Sequence, residues 1–248
     1  MGILDSFKIQ KYLNPYIWEN YKSDNFDEIK LKGTLRADIL KIAKLFIESF
    51  NIEGIEIDDI LFVGSLANYN WSDYSDVDIH VVLNKSQFDG DDDIIQELFD
   101  AKRAIFNDKH EISIKGYDVE LYAQDTNEIL DATGIYSVLY AKWIKTPPKL
   151  NTSFNKKVII DKVKSFNYTL KAIENMEDID KKIETIDKLK DKIKKYRKSG
   201  LHKGGEYSNE NLVFKYLRRS GYMEKLSDLK NSLIDKQLTI ENRTFSKK

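Results

Sequence analysis

The sequence predicts an α+β protein in two parts: a small sheet flanked by helices over residues 1–150, then a mostly helical domain over residues 151–248. Three observations carry this. Short apolar runs bounded by turn signals alternate with helical patterns before Pro147 and Pro148. After those prolines the apolar residues recur three and four apart almost without interruption. The charge divides at the same place, with 16 basic and 27 acidic residues up to Leu150 and 24 and 14 beyond it.

Leu35 to Phe50 places Ile39, Leu40, Ile42, Ala43, Phe46 and Ile47 at helical spacing, which predicts an amphipathic helix. Ile60 to Val63 is long enough only for a buried strand, and Gly64 ends it. Asp76 to Leu83 is a second strand, alternating charge with apolar bulk. In GDDDIIQELFDAKRAIF, Asp91, Asp92 and Asp93 complement the positive end of a helix macrodipole, and Ile94, Leu98, Ala101 and Ile105 form its apolar stripe.

Glu111 to Ile114, a turn at Gly116 and Tyr117 to Ala123 predict a hairpin. Asp118, Glu120 and Tyr122 share one face of its second strand, opposite Val119, Leu121 and Ala123. Beyond the prolines, Ile159, Val163, Phe166, Leu170 and Ile173 mark one helix, and Ile179, Ile183, Ile186, Leu189 and Ile193 another, with a break near Met176 to Asp178. The segment SGLHKGGEYS reads as a glycine-containing loop before two shorter helices, Asn209 to Leu217 and Lys225 to Leu233.

The 248 residues contain 41% apolar side chains, enough for a proper core. No cysteine is present, which excludes disulfides, thiolate metal sites and cysteine nucleophiles. There is no run of eighteen apolar residues and no secretory pattern at the start, so the expectation is a soluble, cytoplasmic protein with no membrane partner. The acidic part suits cations, and the basic part suits either polyphosphate or nucleic acid, or simply solvated lysine-rich helices.

The stretch GSLANYNWSDYSDVDIHVV, residues 64–82, is the most informative. Two carboxylates two residues apart project from one strand face, and each costs several kcal/mol to desolvate unless paired or metal-bound. Oxygen donors at that spacing suit a hard cation such as magnesium. His80 continues their face and reads as a hydrogen-bonded structural histidine. Tyr69, Trp71 and Tyr74 read as packing of a linker helix, and Asp73 and Ser75 as caps or turns.

Val63, Gly64 and Ser65, then ten residues, then Asp76, Val77, Asp78 and Ile79, with a later isolated acid on a strand, resemble the nucleotidyltransferase superfamily. That superfamily includes DNA polymerase beta, the kanamycin and minimal nucleotidyltransferases, and the CCA-adding and poly(A)-adding enzymes. The resemblance covers about residues 35–125. It implies a small mixed sheet of that type and a two-metal transfer of a nucleoside monophosphate from ATP or another NTP to a hydroxyl, with release of pyrophosphate.

In this reading Asp76, Asp78 and Glu120 hold two Mg2+ ions, which Mn2+ can replace, and Glu120, rather than Asp118, is the third acid. Gly64 and Ser65 cradle the triphosphate, Ser65 opening a helix. Lys142, which follows the third acid, and Lys203, beside His202 in the basic segment, are the further nucleotide-binding candidates, although Lys203 equally fits a solvated helix end. The acceptor class is left open between an RNA or tRNA end, a protein side chain and a small hydroxylated molecule, with the basic half favouring RNA. The rival reading is a catalytically inactive nucleotide-binding or antitoxin-like interaction module.

Overall fold

The computed structural model describes residues 2–149 and 154–239. These form two compact units, residues 8–149 and residues 2–7 with 154–239. The first runs α1 (Gly33–Glu48), β1 (Asp59–Val63), β2 (Val77–Leu83), α2 (Asp92–Lys109), β3 (Ser113–Ile114), β4 (Tyr117–Asp125), β5 (Ile135–Ser137) and β6 (Lys142–Lys145).

The sheet order is β3-β4-β2-β1-β5-β6, and the fold is the mixed α+β class that the sequence predicts. Every neighbouring pair is antiparallel except β2 and β4, where α2 supplies the crossover that a parallel pair requires. Val77, Ile79 and Val81 on β2 and Val119, Leu121 and Ala123 on β4 enter one core with Leu35, Ile39, Ala43 and Phe46 of α1. The period of two then puts Asp78, His80, Glu120 and Tyr122 on the opposite face.

Helix α2 begins as anticipated, with the Asp91 carboxylate accepting from the Asp93 amide at 3.0 Å. Its buried stripe is different. Ile95, Phe99 and Phe106 face inward, while Ile94 and Ile105 are 64% and 49% exposed. The reason is aromatic packing: Phe99 meets Phe50 and Phe88, and Phe106 meets Phe46, all edge to face. With Ile95, the Phe99 and Phe106 rings remove more apolar area from water than the aliphatic stripe one position away, so the helix turns to bury them.

Strands β5 and β6 were not anticipated, because three and four residues are too few to display alternation. Residues 8–32 contain little regular structure but place Leu13, Ile17, Trp18 and Ile29 in the core. Trp18 stacks on Trp143 of β6 with centroids 4.6 Å apart.

The second unit contains α3 (Lys156–Glu174), α4 (Ile179–Gly204), α5 (Asn209–Arg219) and α6 (Tyr222–Leu238). Asp178 caps α4 through the Lys181 amide, at the expected break. The expected loop after Lys198 is instead helix as far as Gly204, followed by a single turn at Gly205–Tyr207. Gly200 permits this: a Cβ there would lie 2.4 Å from Glu210 Cβ and 2.7 Å from Ser208 Oγ, so only glycine lets α4 and the start of α5 approach. Among the described residues no helix is long and apolar enough to cross a membrane.

Glu206 anchors that turn, accepting from Lys215 Nζ at 2.7 Å, while Asn211 Nδ2 donates to its backbone carbonyl at 2.7 Å. Burial pushes the Glu206 carboxyl up, but Lys215, Arg197 and Asn211 outweigh it and hold the group below the usual carboxylate range. A depressed folded value means stabilisation present above the unfolded value of 4.5 and lost as pH falls through the folded one. Glu206→Gln should therefore cost about 2 kcal/mol at pH 7. Thermal melts of both proteins should converge as the pH is lowered below that range, and a gap independent of pH would contradict the assignment.

Candidate active site

Gly64 ends β1 with φ 73° and ψ −160°, a conformation that side chains other than glycine rarely adopt. A Cβ on it would stand 1.7 Å from Asp78 Oδ2. The residue is therefore required by a carboxylate as well as by the turn. Val63 is the cross-strand partner of Asp78, so the antiparallel register delivers the acid to the glycine.

Asp76 immediately precedes β2, Asp78 is its second residue, and the parallel register sets Glu120 of β4 directly beside Asp78. One carboxylate oxygen from each of Asp76, Asp78 and Glu120 lies within 4.8 Å of the others. The two aspartates are half-buried and Glu120 is exposed. Two unit charges at that spacing repel by about 3.5 kcal/mol at an effective dielectric of ~20, before salt screening. Three hard oxygen donors at that spacing could hold a divalent cation such as Mg2+ or Mn2+, which would offset the repulsion.

Ser65 starts a three-residue 3-10 turn, Ser65–Ala67, rather than the helix expected after it. Its hydroxyl donates to Ser75 Oγ at 2.7 Å, and Ser75 Oγ also accepts from the Ser72 amide at 2.9 Å. This bridge closes the linker one residue before Asp76, so Ser65 positions the first acid. The linker is loop rather than helix. It is pinned by Trp71 Nε1–H to the Tyr12 carbonyl at 2.9 Å and by the Gln10 amide to the Tyr69 carbonyl at 2.7 Å. Asn68 bonds the Thr133 hydroxyl, joining the linker to the segment before β5.

His80 is a structural histidine, as its place on the strand suggested. Gln124 Nε2 donates to the Glu128 carbonyl at 3.2 Å, which turns the amide oxygen toward His80 Nδ1 at 2.7 Å. Burial holds the imidazole below its ordinary value against the opposing pull of that hydrogen bond. A neutral ring with its proton on Nδ1 satisfies this contact.

Beside the three acids opens a cleft of about 730 Å³, walled by Asp78, Glu120, His80 and Tyr122 of the sheet and by Arg103 and Asn107 of α2. Asn107 brackets the edge of β4, donating to the Leu121 carbonyl at 3.0 Å and accepting from the Leu121 amide at 3.2 Å. These bonds replace a neighbouring strand and fix α2 in register with Glu120. Arg103, one turn earlier, lies over the Tyr122 ring at 5.1 Å, and Tyr122 packs on His80 at 4.8 Å.

The remaining candidates are not members of the acidic triad. Lys142 begins β6, three strand positions from β2 or about 14 Å across the sheet, with its ammonium over the Tyr140 ring at 5.7 Å. The sheet order does not bring it to the acids. Lys203 is an exposed residue of α4 in the helical unit. Asp118 pairs with Ser113 at the hairpin and is not one of the three clustered acids.

Three supporting residues were not anticipated. Arg103 and Asn107 were hidden by the rotation of α2, since their faces follow only once Phe99 and Phe106 are known to point inward. Trp18 donates from Nε1 to the Leu66 carbonyl at 2.8 Å, holding the turn after Gly64, and nothing in its irregular segment signals this. Comparison of the chain with protein-family models, curated proteins and solved structures finds no match.

Proposed function

We propose that this chain is a magnesium-dependent nucleotidyltransferase that moves a nucleoside monophosphate from an NTP to a hydroxyl acceptor and releases pyrophosphate. The observation that supports it best is the convergence of Asp76, Asp78 and Glu120 beside a turn whose glycine cannot carry a side chain. Bound by these three carboxylates, magnesium supplies neutralisation of the charge that builds on the phosphoryl oxygens and lowers the pKa of the attacking hydroxyl.

The chain's own residues do the rest. Gly64 leaves the Asp78 carboxylate room to stand against the turn, the Ser65–Ser75 bridge holds Asp76 at the strand entrance, and Asn107 keeps β4, and so Glu120, in register. Backbone at Gly64 carries no side chain to block a phosphate. Three clustered carboxylates repel a polyphosphate, and a bound divalent cation would offset that repulsion.

The test is incubation with each labelled NTP, magnesium and total cellular RNA or protein, with pyrophosphate measured alongside. Label on an acceptor and stoichiometric pyrophosphate are expected. NTP binding with no pyrophosphate across a broad acceptor panel would instead establish the inactive binding module.

A further inference from the structure

The proposed transfer steps assign Arg103 no role, yet its placement is specific. It is the one permanently cationic side chain among the described residues lining the cleft. Its ion-pair contact is to Asp100 at 3.7 Å, with the two side chains 40% and 49% exposed, a pair that contributes little to stability. The guanidinium is instead oriented by the Tyr122 face, and α2 is locked to β4 by the paired Asn107 bonds. A planar, preorganised cation on a rigid element suits bidentate recognition of a phosphate oxygen pair.

Tyr122, beneath Arg103, follows Glu120 on the same strand face, with about 7 Å between their Cα atoms. Arg103 and Glu120 line the same cleft, so a nucleotide between them can present its hydroxyl to one and its phosphate to the other. We infer that the acceptor is a nucleotide whose hydroxyl meets the Glu120 end of the cleft while its own phosphate is held by Arg103. This rests on the transferase reading for the hydroxyl. The phosphate contact is measurable without turnover.

The test uses the whole protein with Mg2+ and no NTP. Fluorescence anisotropy compares a single-stranded oligoribonucleotide with the same oligonucleotide carrying an uncharged methylphosphonate at its last linkage. A parallel calorimetric arm compares adenosine 5′-monophosphate with adenosine, and so separates free nucleotide from RNA ends as the source of the phosphate. In wild type, removing the charge should weaken binding about tenfold or more in one arm, as one charge-assisted bond pair implies. In Arg103→Gln the loss should fall below about twofold by the logic of a double-mutant cycle, and Arg103→Lys should restore part of it.

Equal losses in wild type and Arg103→Gln, or no loss in either arm, would overturn the role of Arg103. A lowered melting temperature in Arg103→Gln with the charge response intact would likewise reduce it to a structural residue. Failure of the transferase reading would appear separately, as absent pyrophosphate in the wild-type protein.

Discussion

Asp76→Asn and Asp78→Asn should each lower turnover by about a thousandfold, equivalent to about 4 kcal/mol of barrier. The substitution preserves shape and removes one anionic ligand, so the loss should be specific to metal-dependent steps. Melting temperature without metal should stay close to wild type, while stabilisation by added Mg2+ and NTP should disappear, because a ligand that no longer binds the folded state no longer shifts its unfolding. Both variants turning over like wild type would refute the assignment of the acids. A matched collapse in melting temperature would instead place the aspartates in the scaffold.

Gly64→Ala carries the second large effect, and for a different reason. The added methyl must displace the Asp78 carboxylate from 1.7 Å while the backbone occupies a region nearly reserved for glycine. The backbone term alone costs about 1–3 kcal/mol. Displacing a metal-binding carboxylate by about an ångström should lower turnover by about a hundredfold even where the fold survives. Turnover and Mg2+ affinity should fall together. An alanine variant with normal Mg2+ affinity and lost NTP affinity would mean that Gly64 acts on phosphate alone, independently of Asp78.

The parts of the fold that sequence could reveal are those encoded by periodicity over enough residues. β2 and β4 expose a period of two, and α3 and α4 a period of three and four, so their existence and inner faces could be read directly. Helix α2 offered two apolar stripes one residue apart, and only the rings of Phe46, Phe50 and Phe88 from other elements decide between them. Strands β5 and β6 and the Trp18 segment are defined by partners far along the chain, which local patterns do not encode.

The candidate site divides in the same way. Asp76, Asp78 and Gly64 could be picked out because their spacing is local, and Glu120 because the resemblance implies a third acid on a later strand. The parallel register that sets Glu120 beside Asp78 is a property of the sheet. Lys142 follows β4 closely in sequence, but the sheet order carries it to the opposite edge. Sequence proximity and spatial proximity part company wherever a strand is added on the far side.

The most direct measurement is the anomalous scattering of Mn2+ in crystals of the protein grown with a non-hydrolysable NTP analogue. Manganese peaks coordinated by Asp76, Asp78 and Glu120, lost in Asp78→Asn crystals, are expected. Manganese bound elsewhere, or analogue bound with Glu120 turned away from both aspartates, would contradict the account.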